Sequence, residues 1–275
     1  MIFRSINLLK LQFFKIYHLS MLWLSSKHKW LNMHELIKKN LLSDRETLLY
    51  LKNNPKVGII RNGNSELGLM VGNSPKTQKY NKALRDRLVN NCKNYNSTTI
   101  KNYLLALPLD SLFSGYKKKR GIPNWYPGGA ASLAMRFLVK QNQLYASPYC
   151  FRVIEVLDKN MDDYLKLLES LFDGRNVIYA GPLQGKNPDF PAFLKPKKII
   201  KIPEKNAFER FDEILKEITN QSKNYNDPLV VLVGGTTASA LSYELNMSNI
   251  TCYDFGQYNR LYKKYQESLK NKLLK

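Results

Sequence analysis

"PLVVLVGGTTASALSYELNMSNITCYDFG", Pro228 to Gly256, decides the fold. Its first part is an unbroken apolar run of Val and Leu, as expected of a strand buried on both faces. Two glycines and two threonines follow, then Thr236 to Met247 with the length and composition of a helix. Ile250 to Gly256 reads as a second strand. Strand, helix and strand in this order join two parallel neighbours of one sheet.

The same alternation extends towards the N-terminus. "VGIIR" (57–61) is a strand, "NKALRDRLVNNCK" (81–93) a helix with a basic outer face, and "NYLLALPLDSLF" (102–113) a strand and loop. "GGAASLAMRFLVKQN" (128–142) reads as a helix, "QLYASPYCF" (143–151) as a strand, and "NMDDYLKLLESLFDG" (160–174) as a helix closed by Gly174. "RNVIYAG" and "KKIIKIP" are further strands, and "NAFERFDEILKEITNQ" (206–221) is an amphipathic helix. Earlier, "MHELIKKNLLSDRETLLYLKN" (33–53) has helical spacing with a Ser43 to Glu46 capping box. The expected architecture is α/β: a Rossmann-like, mostly parallel sheet with helices on both faces.

In such sheets ligands bind beyond the carboxyl ends of the strands, where turns and helix N-termini offer backbone donors. Three polar strand ends share that rim: Arg61 to Glu66, Gly181 to Gln184, and Gly234 to Thr237. Each is either an ordinary solvated turn or part of a ligand site. The turn Gly234, Gly235, Thr236 and Thr237 lacks both the GxGxxG spacing of dinucleotide folds and the Gly-Lys-Ser/Thr of a P-loop.

The chain has 275 residues, 44% hydrophobic and 12% aromatic, which is ample for a folded core. Its 43 Lys and Arg against 22 Asp and Glu leave a net charge of +21, pointing to an anionic partner without naming it. Cys92, Cys150 and Cys252 lie far apart and fit neither a disulfide framework nor a CxxC metal site. Residues 1–34 carry Arg4, Lys10, Lys15, Lys27 and Lys29 with no acid, among Phe13, Phe14, Trp23 and Trp30. Ile16 to Ser26, their longest run without Lys or Arg, is well short of the ~20 residues of a spanning helix. That composition suits an interfacial helix on an anionic membrane surface, or else a plain packing helix.

Four motifs in order resemble the GT-D-type glycosyltransferases. The family opens on a strand followed by Arg, an aromatic, Gly, Asp, Gly and Glu, and Arg61, Asn62, Gly63, Asn64, Ser65 and Glu66 occupy those places. A Pro-x-x-Asn-Ala-Phe element is similar to Pro203 to Phe208, a strand, Gly-Pro-Thr-Ala and helix to Val231 to Leu245, and a closing Asp-x-Gly to Asp254, Phe255 and Gly256. The resemblance runs from about Glu46 to Tyr262, within a domain of residues 35–275.

The resemblance implies transfer of a sugar from a nucleotide-sugar donor, a UDP-sugar first, to a glycan or lipid-linked acceptor at the cytoplasmic face of a membrane. Its Asp-x-Glu pair implies a divalent metal, Mn²⁺ or Mg²⁺, through Glu66 and Asn64. Asn64 stands in place of the Asp and brings no charge, which favours a weaker cation site. Glu66 and Asp254 are the implied catalytic carboxylates. Arg61, Gly63, Asn64, Ser65, Asn206, Gly234, Gly235, Thr236 and Thr237 are the implied donor-binding residues. Asn206 also reads as an N-cap. Arg120, Trp125 and Tyr126, in the basic and aromatic "YKKKRGIPNWYPGG" (116–129), are the choice for the acceptor. A sugar-nucleotide-binding relative without activity stays open because of Asn64. Nucleic-acid binding would also explain the charge, but no reader motif is present and none is expected as partner. The sequence carries no signal for oligomeric state.

Overall fold

A computed structural model describes residues 40–97, 102–109, 138–140, 142–153, 160–183, 191–256 and 267. Six strands form one sheet: β1 (Gly58–Arg61), β2 (Tyr103–Ala106), β3 (Asn176–Gly181), β4 (Lys198–Lys201), β5 (Pro228–Leu232) and β6 (Thr251–Asp254). Their spatial order is β2-β1-β6-β5-β3-β4, and every pairing is parallel. The α/β reading with a parallel sheet is therefore correct. The first and last strands lie side by side near the middle, with Ile59 opposite Tyr253.

Alternate strand residues feed opposite faces, as the pleat requires. Ile60, Leu105, Ile178, Val230 and Leu232 pack on one side under α2 (Asn64–Met70), α3 (Lys82–Ser97), α5 (Phe211–Ser222) and α6 (Thr236–Met247). Ile59, Leu104, Val177, Val231 and Tyr253 pack on the other under α1 (Asp44–Asn53) and α4 (Met161–Ser170). Helix α1 starts at the expected capping box: Ser43 Oγ accepts from Glu46 N–H, and Glu46 Oε2 from Ser43 N–H at 2.8 Å.

Close packing of α6 on β1 explains Gly58. A Cβ there would lie 2.0 Å from Asn246 Oδ1, and Asn246 is the bracket that accepts from Cys252 N–H at 3.0 Å and donates to the Ser242 carbonyl at 2.8 Å. All three cysteines are buried and free.

Residues 143–151 depart from the strand expectation. Tyr145 and Ala146 make only isolated bridges, to Leu41 and Ala106, before the chain turns at Pro148. Proline has no N–H to continue a ladder. The expected helix 128–142 lies outside the described residues apart from its end, and residues 1–34 lie outside them entirely. Among the described residues no helix is long and apolar enough to cross a membrane.

Candidate active site

Parallel strands release their chain on one edge of the sheet, so the adjacency of β1 and β6 brings Arg61 to Glu66 against Asp254 to Gly256. Arg61, at the end of β1, is half-buried and its Nε donates to the Pro148 carbonyl at 2.9 Å. Its guanidinium is seated between two glycines. A Cβ on Gly63 would come within 2.8 Å of Nη2, and one on Gly256 within 2.7 Å of Nη1. Gly256 also has φ +60°, a conformation side chains resist.

Glu66 is 2% exposed, and its Oε2 accepts from the Gly63 N–H at 2.8 Å. The carboxylate thus caps the N-terminus of α2 as well as facing the Gly63 turn, where a Cβ would lie 3.2 Å from Oε2. Ser65 lies exposed beside it. Asp254 is 1% exposed; its Oδ1 accepts from Gly256 N–H at 2.9 Å. Ser239 Oγ lies 2.9 Å from Asp254 Oδ2 and 2.6 Å from the Arg61 carbonyl oxygen. A hydroxyl has one hydrogen, so both contacts are satisfied together when Asp254 carries a proton. Burial pushes the Asp254 carboxyl up to about 7. Arg61 opposes that rise, Glu66 adds to it, and the hydrogen bonds from Gly256 and Ser239 oppose it.

The β5–α6 turn completes the edge. Gly235, at φ +58°, precedes the helix, and both glycines are half-buried. Thr236 and Thr237 are each 1% exposed: Thr237 Oγ1 donates to Gln78 Oε1 at 3.4 Å, while Thr236 Oγ1 has no hydrogen-bond partner. The loop carrying Thr77 and Gln78 lies against the turn, since a Cβ on Gly235 would meet Thr77 Oγ1 at 3.3 Å. The threonines are therefore packing residues of the turn.

Asn206 corrects the N-cap expectation. It adopts a left-handed conformation at φ +53°, and its side chain makes no cap bond to the short helix Ala207–Arg210 that follows it. Its Oδ1 accepts from Lys79 N–H at 3.0 Å and its N–H donates to the Thr77 carbonyl at 2.9 Å, so it fastens the 77–79 loop over the β5–α6 turn. Arg120, Trp125 and Tyr126 lie outside the described residues. Sequence reasoning missed Ser239, Pro148 and Gln78. Only Ser239 carried a signal, being in the first turn of a helix that starts at the rim.

The profile of the family described as "Glycosyltransferase GT-D fold" matches residues 59–274. The chain belongs to this family. A solved structure described as a "highly conserved domain of unknown function 1792" with "a distinct glycosyltransferase fold" is similar at 24% identity and a TM-score of 0.71, covering 87% of this chain and 86% of that one. Another, "a new glycosyltransferase" from Streptococcus sanguinis, is 19% identical at a TM-score of 0.70, covering 83% and 85%. At these identities the two structures speak for the GT-D fold alone. No curated protein matches the chain.

The GT-D resemblance implies a divalent cation at Asn64 and Glu66. Such a cation takes about six oxygen ligands, of which the protein commonly gives one or two carboxylates and bound phosphates and water the rest. Here Asn64 offers one neutral oxygen, Oδ1, buried and without a hydrogen bond. One oxygen of Glu66 is engaged by Gly63, both of Asp254 by Gly256 and Ser239, and the Arg61 guanidinium stands beside the same turn. Among the described residues no three His, Cys, Asp or Glu side chains gather to hold an ion. The residues present do not fit a divalent-cation centre.

Proposed function

We propose that this GT-D chain is a glycosyltransferase that moves a sugar from a nucleotide-sugar donor, a UDP-sugar first, to a hydroxyl of a glycan or lipid-linked acceptor. One observation carries the reading: in a chain of this family, Arg61, Glu66 and Asp254 converge at the carboxyl edge of the neighbouring strands β1 and β6. In transfer the bond from the anomeric carbon to the diphosphate oxygen breaks, and the acceptor oxygen replaces it and gives up its proton. Glu66 is the residue we assign to receive that proton, its orientation fixed by the Gly63 N–H. Asp254, buried and tied to Ser239 and Gly256, is the second carboxylate. Gly63, Gly234, Gly235 and Asn64 line the donor edge, while Asn206 acts on it through the 77–79 loop. The acceptor is assigned to the Tyr116 to Gly129 segment, and the basic N-terminal segment to an anionic membrane surface on the cytoplasmic side.

The test is release of free nucleoside diphosphate from a panel of UDP-, GDP- and dTDP-sugars, alone and with a lipid-linked or oligosaccharide acceptor. Sugar-dependent release that Glu66→Gln removes is the expected result. A second reading, donor binding without transfer, is favoured by Asn64, and binding with no release from any donor would decide for it.

A further inference from the structure

The cation that the family resemblance implies lacks a ligand set in this chain, and a guanidinium stands where the site most needs positive charge. We propose that this protein binds the diphosphate of its donor without a divalent cation, Arg61 supplying the charge. This rests on the nucleotide-sugar reading above and narrows it.

Arg61 is not a loose surface cation. Its Nε is tied to the Pro148 carbonyl, its own carbonyl is held by Ser239 Oγ, and Gly63 and Gly256 leave room on two sides for Nη2 and Nη1. A side chain at either glycine would collide with the fork. The guanidinium is thus held in one pose before any ligand arrives, which lowers the ordering cost of binding. A planar fork with five N–H donors matches phosphate oxygens and can be shared between a neighbouring carboxylate and a ligand.

The surroundings disfavour a metal and favour the fork. A divalent ion held by Asn64 and Glu66 would lie beside the guanidinium at the Gly63 turn, in a partly buried place where like charges repel strongly. The carboxylates left to offset both are Glu66 and Asp254, and both Asp254 oxygens are already hydrogen-bonded. With an amide at position 64 the carboxylate that would balance the ion is gone, and the buried Asn64 Oδ1 is left as an acceptor suited to a donor hydroxyl. The neutral residue and the seated arginine are two sides of one arrangement.

Calorimetric titration with UDP, GDP and dTDP, in EDTA and again in Mn²⁺, tests this on the full chain. The wild type is expected to bind at least one of them with dissociation constants in EDTA and Mn²⁺ within about three-fold of each other. Arg61→Lys, which keeps the charge and loses the fork, should weaken that binding by about ten-fold or more. Asn64→Asp should introduce a Mn²⁺ dependence of about ten-fold that the wild type lacks. Circular dichroism and melting establish that Arg61→Lys is folded; if it is not, the wild-type comparison and Asn64→Asp decide alone. Wild-type binding that EDTA abolishes overturns the inference and leaves the donor reading standing, and folded Arg61→Lys binding as tightly as wild type overturns the role of Arg61. No binding of any nucleotide under either condition overturns the donor reading and this inference together.

Discussion

Replacing Asp254 with Asn probes whether the buried carboxyl holds a proton near neutrality. Burial lifts its pKa from the usual 3.8 to about 7. Between those values the unfolded chain has released the proton and the folded chain has kept it, so stability falls as pH rises from about 4 and levels off above about 7. At about 1.4 kcal/mol per pH unit, this group alone removes on the order of 4 kcal/mol across the interval. An amide has the same shape and stays neutral. Its oxygen accepts from Gly256 N–H, and its NH₂ donates to Ser239 Oγ, freeing the hydroxyl hydrogen for the Arg61 carbonyl. Asp254→Asn should therefore be more stable than wild type at pH 8 by a few kcal/mol, and the difference should shrink at pH 5. Urea unfolding of both proteins at the two pH values measures it. A variant less stable than wild type at pH 8 would refute the reasoning: the ionised carboxylate would then be worth more to Arg61 than its burial costs.

Glu66→Gln keeps an oxygen to accept from Gly63 N–H and should fold with a melting point near wild type, while transfer drops by about 10²-fold or more; activity within a few-fold would remove Glu66 from the proton-accepting role. Gly58→Ala drives a methyl into the Asn246 bracket and should cost about 3 kcal/mol or more, read by denaturant unfolding; a loss below about 1 kcal/mol would mean that α6 shifts freely on β1. Deleting residues 1–34 should release the protein from anionic vesicles in co-sedimentation and leave nucleotide binding in place, since each basic residue near such a surface contributes roughly 1 kcal/mol. Equal sedimentation of both forms would make that segment a packing element.

The alternation of strands and helices was legible because each element keeps its own period. The unbroken apolar runs became the buried central strands, and the helix read over Thr236 to Met247 has those bounds in the structure. Strand order was not legible. Nothing in the β6 sequence says that it inserts beside β1, since that choice is made by faces packing at a distance. Residues 143–151 misled because aromatic and small residues at Tyr145 and Ala146 look like a strand, while Pro148 turns the chain and lends its carbonyl to Arg61. Asn206 was the right residue type for a helix start, but its left-handed backbone aims the side chain at Lys79 instead.

The seat of Arg61 shows why the candidate site was only half visible. Read locally, Gly63 is the helix-entry glycine of one turn and Gly256 the positive-φ glycine of another, and each has sufficient reason to be there. Their joint role appears only when β6 takes its place beside β1 and sets both against the same guanidinium. Ser239 then ties this pair to α6 by touching the Arg61 carbonyl and the Asp254 carboxyl at once. A change at either strand end or at Ser239 thus reaches the arginine through packing before it reaches a ligand. On the reading proposed above, donor recognition and the β1–β6 junction share the same contacts, so variants of the seat should lose nucleotide binding and stability together, whereas Asn64→Asp, in the first turn of α2, should alter binding alone.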